Sequence, residues 1–169
     1  MGTEGIGAPI PSRIRSRCHP IEKEPMLIGE YEHTLDDKKR ITLPKAFSKT
    51  LGKKVILTHG LDGCLWLIPE SGWTPLLEQL QTLSIGQADA RAITRYFVGG
   101  AFHLETDGAG RILIPEELKQ SAGLKKTVVF AGVSNRVEVW DATLWKQYKA
   151  RIAKQADAIA EKLGELGVL

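Results

Sequence analysis

Asp36-Asp37-Lys38-Lys39-Arg40-Ile41-Thr42-Leu43-Pro44 is answered later in the chain by Asp107-Gly108-Ala109-Gly110-Arg111-Ile112-Leu113-Ile114-Pro115. Asp, Arg, Ile and Pro recur at identical spacing. The match continues outward: Phe47 stands opposite Leu118, and Gly52 opposite Gly123. One inserted residue, Leu124, shifts the register, after which Lys53-Lys54 answers Lys125-Lys126, Gly60 answers Gly132 and Trp73 answers Trp145. Two copies are too few to stack as a solenoid. They suit a duplicated unit that packs on itself about a pseudo-two-fold axis.

Each copy reads as strand, strand, short helix, strand, strand, longer helix. Glu30–Leu35 with Arg40–Leu43, and Ala101–Thr106 with Arg111–Ile114, are short β-prone runs around a polar turn. Pro44 and Pro115 end their strands, because proline cannot donate to a ladder, and each suits the first turn of a helix. The short helices are expected near Lys45–Thr50 and Glu116–Ala122, closed by Gly52 and Gly123 as C-terminal caps. A second hairpin follows in each copy. Val55–Thr58 and Leu65–Ile68 flank Asp62-Gly63, a strong tight-turn signal, and Val128–Ala131 and Val137–Trp140 flank Ser134-Asn135.

Beyond the hairpins the copies diverge. Gly72–Leu83 and Ala88–Val98 are expected as two helices parted near Ile85-Gly86. Ala142–Leu163 is expected as one long helix, with Trp145, Tyr148, Ile152, Ala156, Ile159 and Leu163 on a single apolar stripe. That stripe suits either packing on its own unit or a contact between subunits. Residues 1–25 mix glycines and prolines with Arg13, Arg15 and Arg17 and show no periodicity, so they are expected to be a disordered extension, of the kind a start codon assigned too far upstream would add, with Met26 as the expected start of the protein. A basic arm touching DNA is the alternative for those arginines. The expected division is 1–25 extension, 26–73 first repeat, 74–100 connecting helices, 101–140 second repeat and 141–169 C-terminal helix.

Composition narrows the function classes. A chain with 43% hydrophobic and 25% charged residues is globular in type, and no apolar run approaches the ~20 residues of a membrane span. A formal charge of +3 permits a nucleic-acid partner without demanding one. Cys18 and Cys64 supply neither a disulfide framework nor a zinc site and read as reduced thiols. Phosphate-binding, zinc-protease and serine-hydrolase motifs are missing, and His19, His33, His59 and His103 lack metal-ligand spacing. No enzyme, metal or cofactor is expected. His33 beside Glu32 or Asp36 reads as a surface strand residue rather than an acid–base set.

What repeats is charge at a turn. Asp36 and Arg40 bracket one hairpin loop, and Asp107 and Arg111 bracket the other. The aspartates are expected to fix the loops and orient the arginines. Arg40 and Arg111 then present held guanidinium groups at a sheet edge, a geometry suited to the major groove of duplex DNA. Lys38 and Lys39 add charge to the first loop, which is expected to contribute more to non-specific phosphate binding. Arg91 and Arg95 share a helix face that is solvated by default. Lys53, Lys54, Lys125 and Lys126 suit positions just beyond helix C-termini. A rival from another class is a protein-interaction or scaffold ring without DNA binding, using the C-terminal stripe, Trp66 and Trp73.

GEYEHTLDDKKRITLP (29–44), LTHGLDGCLWLIPE (57–70), DARAITRYFVGGA (89–101) and DGAGRILIP (107–115) together resemble the MraZ family of bacterial transcriptional regulators. The likeness runs from about Met26 to the end of the C-terminal helix. It implies an α+β chain with an AbrB/SpoVT-type swapped-hairpin β-barrel, each half drawn from one repeat, and flanking helices. It implies a cytoplasmic, nucleoid-associated regulator that represses the division and cell-wall gene cluster, its own operon included. It also implies a ring of subunits bound to repeated promoter boxes on double-stranded DNA. Asp36, Arg40, Asp107 and Arg111 occupy the motif positions. One departure stands out: family loops carry glycine before the arginine, as at Gly110, whereas the first loop has Lys39. If that turn needs a positive φ, lysine is strained there.

Overall fold

The computed structural model describes residues 26–167. The extension, Cys18, His19 and the three N-terminal arginines lie outside them. The first half contains β1 (Leu27–Thr34), β2 (Arg40–Thr42), α1 (Lys45–Leu51), β3 (Lys54–His59), β4 (Leu65–Pro69) and α2 (Glu70–Gln81). A connection of α3 (Ala88–Thr94) and a π-helical turn (Arg95–Gly99) leads into the second half. There the order repeats as β5 (Phe102–Glu105), β6 (Arg111–Leu113), α4 (Glu116–Ser121), β7 (Thr127–Ser134), β8 (Val137–Asp141) and α5 (Ala142–Ala153), followed by α6 (Ala156–Glu165). Turn chemistry accounts for the joints: Asp62 and Gly63 both take positive φ (61° and 91°), as a tight hairpin between right-twisted strands requires.

The halves are interleaved. Six strands form one antiparallel sheet in the order β1-β7-β8-β4-β3-β5. Exchanging the two halves and reading backwards returns the same order, which is the signature of a pseudo-two-fold axis between β4 and β8. The opening strand of each half therefore pairs with the other half's hairpin, β1 with β7 and β5 with β3. β2 and β6 make a separate two-stranded ribbon. The fold is thus α+β with a mostly antiparallel sheet. The expected barrel is not closed, because the large sheet ends in two free edges, β1 and β5, and the ribbon does not join its ladder.

One core serves both halves. Ile41, Phe47, Leu57 and Leu67 from the first pack with Ile112, Leu118, Phe130 and Val139 from the second, all of them buried. Burying such a side chain is worth roughly 1.5–3 kcal/mol, so the ribbon is held by its inward pair, Ile41 and Ile112, which lie directly opposite each other in register.

Two helices depart from expectation. The helix expected to reach Val98 leaves α-geometry at Arg95. The buried Thr58 hydroxyl donates to the Phe97 carbonyl at 2.6 Å, the Tyr96 hydroxyl donates to the Gly60 carbonyl at 3.0 Å, and Phe97 stacks on Trp66, so tertiary contacts widen the turn. The single helix expected over 142–163 is broken at Lys154-Gln155. Its first part is anchored: Asp141 accepts from the Thr143 and Leu144 N–H groups, and Trp145 and Tyr148 pack on Trp140. Past Ala153 no residue of the helix is buried, and the Gln155 N–H tightens onto Ile152 three residues back. With no surface beneath it, α6 has nothing to keep it coaxial with α5.

Candidate nucleic-acid interface

Both DxxxR loops close in the same way. The Asp36 carboxylate accepts from the Lys38 N–H (2.9 Å) and Arg40 N–H (2.8 Å), then from Nε and Nη2 of the Arg40 side chain (3.0 and 2.9 Å). Asp107 repeats this with the Ala109 and Arg111 N–H groups and with Arg111 Nε and Nη2 (2.9, 3.0, 2.8 and 2.8 Å). Each aspartate staples its turn and grips one edge of its arginine. Such half-exposed pairs are screened by solvent and add little to stability, so their main effect is orientation.

Turn geometry explains the Lys/Gly difference. The residue before each arginine is left-handed, with Gly110 at φ 72° and Lys39 at φ 60°. Glycine occupies this region at no steric cost, whereas an L-residue pays about 1–2 kcal/mol. Lys39 is partly compensated by an ion pair from its Nζ to Glu116 of α4 at 2.9 Å, which lowers the Glu116 pKa. A Cβ at Gly110 would meet nothing within 4 Å, so substitution there tests backbone strain alone. Gly110→Val is expected to destabilise the fold by about 1–3 kcal/mol, a β-branched residue faring worst at positive φ. Equal denaturation midpoints for the variant and the parent would refute the strain.

Acid should open the loops. The Arg111 side chain, with its own backbone N–H, holds the Asp107 carboxyl down at about 2 instead of the ordinary 3.8. Asp36 is lowered as well, chiefly by the Arg40 backbone N–H. A depressed folded-state pKa means that the clasp's contribution is complete above about 3.8 and is lost as pH falls through about 2. Carboxyl NMR titration is expected to find Asp107 titrating near 2, and Arg111→Ala should raise it only part of the way toward 3.8, because the backbone N–H groups of residues 109 and 111 still point at the carboxylate.

The ribbon aims the arginines together. Arg40 lies opposite Leu113, Thr42 opposite Arg111, and Ile41 opposite Ile112. Directly opposed residues share a face and neighbours alternate. With both isoleucines turned into the core, Arg40, Thr42, Arg111 and Leu113 occupy one outward face. The arginine side chains are 34% and 33% exposed, and Leu113 is 54% exposed. Among the described residues neither Nη1 is engaged, so each guanidinium keeps donors for a ligand. Cross-loop bonds fix the arrangement: Leu43 N–H to the Gly110 carbonyl and Ile114 N–H to the Lys39 carbonyl, at 2.9 and 2.8 Å.

Other candidates sort differently. Lys38 sits exposed on the first loop. Lys39 is tied to Glu116. Arg91 donates to the Ile85 and Gly86 carbonyls, closing the loop before its own helix. His33 packs edge-on against Phe130. Burial pushes the Cys64 thiol up to about 12, far from the reactive thiolate range. No cluster of three His, Cys, Asp or Glu side chains able to hold a metal occurs among the described residues. No helix among them is long and apolar enough to cross a membrane. The lysine pairs follow α1 and α4, as expected, and the structure adds a second neighbour to each. Leu35 N–H bonds the Lys126 carbonyl and Thr106 N–H bonds the Lys53 carbonyl, so each pair stands at the root of the opposite half's loop. Their repetition after each short helix signals the helix ends but not the approach of the other half's loop.

The family profile for the MraZ protein matches residues 26–96 and 97–164, once per half. Curated relatives named "Transcriptional regulator MraZ" align over 143 residues, which is 85% of this chain and all of each relative: Moorella thermoacetica at 43% identity, Acetivibrio thermocellus at 45% and Clostridium beijerinckii at 44%.

Proposed function

Because the chain belongs to the MraZ family and is a transcriptional regulator rather than an enzyme, we propose that it acts by gripping duplex DNA with the outward face of its β2–β6 ribbon. One observation carries this reading: Arg40 and Arg111, from different halves, share that face, each oriented by its aspartate. A two-stranded antiparallel ribbon fits the major groove, and a planar fork of donors suits both phosphate oxygens and the edge of guanine. Lys38 adds charge for phosphates, and Lys39 does so from the edge of its pair with Glu116.

The target is repeated boxes in the promoter of its own operon, the division and cell-wall gene cluster, and occupancy there represses. The protein works in the cytoplasm on the nucleoid. One protomer with a formal charge of +3 has a weak field, so a ring of subunits multiplies contacts and raises the effective concentration at neighbouring boxes. The exposed α6, with Ile159 at its surface, supports a subunit contact. The exchange of β1 and β5 between halves supports an origin in the AbrB/SpoVT swapped-hairpin fold.

Titrating the full chain against the duplex upstream of its own gene tests the reading. Binding is expected, with log K falling against log salt by ~0.9 for each phosphate neutralised. No association at 50–100 mM salt, about the range where such contacts are strongest, would end it.

A further inference from the structure

We propose that the cleft between the first loop and α4 is a separate site for the DNA backbone, with Lys119, Lys125 and Lys126 as its phosphate ligands. The inference rests on the DNA-binding reading and adds to it a surface outside the ribbon. The cleft has a volume of about 410 Å³; the first loop lines it with Asp36, Asp37 and Lys39, α4 with Glu116 and Lys119, and the segment before β7 with Lys125 and Lys126. Its charges do not cancel. Asp36 is consumed by Arg40, and Glu116 by Lys39. That leaves three ammonium groups against Asp37, with Lys119 also in the field of Glu116, and none of the three forms an ion pair among the described residues.

Strand exchange builds the cleft. The β1–β7 ladder ends at Thr34 opposite Thr127, and the next bond, Leu35 N–H to the Lys126 carbonyl at 2.8 Å, draws the second half's lysine pair against the first half's loop. At the pseudo-symmetric position, Thr106 N–H to the Lys53 carbonyl brings Lys53 and Lys54 to the second loop. Ser48 there takes the place of Lys119. Lysines thus flank both ends of the arginine ribbon, as phosphate backbones flank both sides of a major groove. Flexible point charges suit phosphates and carry no base information. The open, polar cleft offers little apolar wall of the kind that holds a small molecule.

The test compares the full-length Lys119→Ala/Lys125→Ala/Lys126→Ala variant with the parent by fluorescence anisotropy. Two duplexes are used, the chain's own upstream DNA and an unrelated sequence of equal length, across a salt series. Affinity is expected to fall about tenfold or more on both duplexes, with the ratio between them preserved. The salt slope should become shallower by up to about one per lysine removed. The triple arginine variant should keep the parental slope. A thermal melt checks that the surface substitutions leave the fold intact. If the parent binds and the alanine variant retains its slope, the cleft is not a contact. If only the upstream duplex is lost, the lysines serve the ribbon's reading, and the phosphate assignment falls. If the parent binds neither duplex, the failure lies with the DNA reading itself.

Discussion

Alanine at both Arg40 and Arg111 is expected to remove most of the affinity for upstream DNA while leaving the fold standing. Each guanidinium offers free donors on the ribbon's outer face, and a well-placed arginine contact is worth about 1–3 kcal/mol. Two such losses amount to roughly 30-fold to 10⁴-fold in Kd, the larger figure applying where the contacts read base edges. Stability should barely move, because the pairs with Asp36 and Asp107 are half-exposed and screened by solvent. The single variants separate the halves: Arg40→Ala leaves Lys38 on its loop, whereas Arg111→Ala leaves a loop with no other cation. Native-state mass and a thermal melt establish that the variant keeps the parent's oligomeric state and fold, and anisotropy then reads the affinity. Unchanged binding by a variant with the parent's mass and fold would rule out the ribbon as the contact surface.

Phe130→Ala should produce the largest loss of stability, about 3–5 kcal/mol. Phe130 is fully buried at a junction of the two halves, opposite Tyr31 of β1 on one side and Val139 of β8 on the other, with His33 edge-on at 5.7 Å. Deleting its ring leaves a cavity whose walls belong to interleaved strands and cannot collapse independently. Because the core is shared, unfolding of both parent and variant should be a single transition, shifted down by roughly 10 °C in Tm. Two resolved transitions, only one of them displaced, would show that the halves fold separately and would contradict the strand exchange.

Local chemistry was legible in the sequence where it is determined locally. The repeat placed both hairpins, Asp62-Gly63 announced its turn, Gly52 and Gly123 marked helix ends, and Lys39 stood out as a lysine at a glycine position. That Arg40 and Arg111 share one outward face was not legible locally, because it depends on β2 meeting β6 across the two halves. The same limit hid the lysine cleft. Nothing near Lys125 or Lys126 reveals that β7 accepts β1 rather than a strand of its own half. The π-turn at Arg95 comes from the hydroxyls of Thr58 and Tyr96, which are remote in sequence. The break at Gln155 reflects a missing surface rather than a breaking residue. Closure of the barrel was inferred from resemblance, and the six-strand ladder stops short of it.

The imperfection of the repeat has a consequence for polarity. Lys39 faces no second lysine across the axis but Gly110, Thr42 answers Leu113, and Lys45 answers Glu116. A perfectly dyadic ribbon would sit on a duplex equally well in either sense and would favour palindromic sites. This one has a head and a tail, like an arrow laid along the helix axis. Copies lined up on successive boxes would all point the same way, so tandem boxes suit them and inverted ones do not.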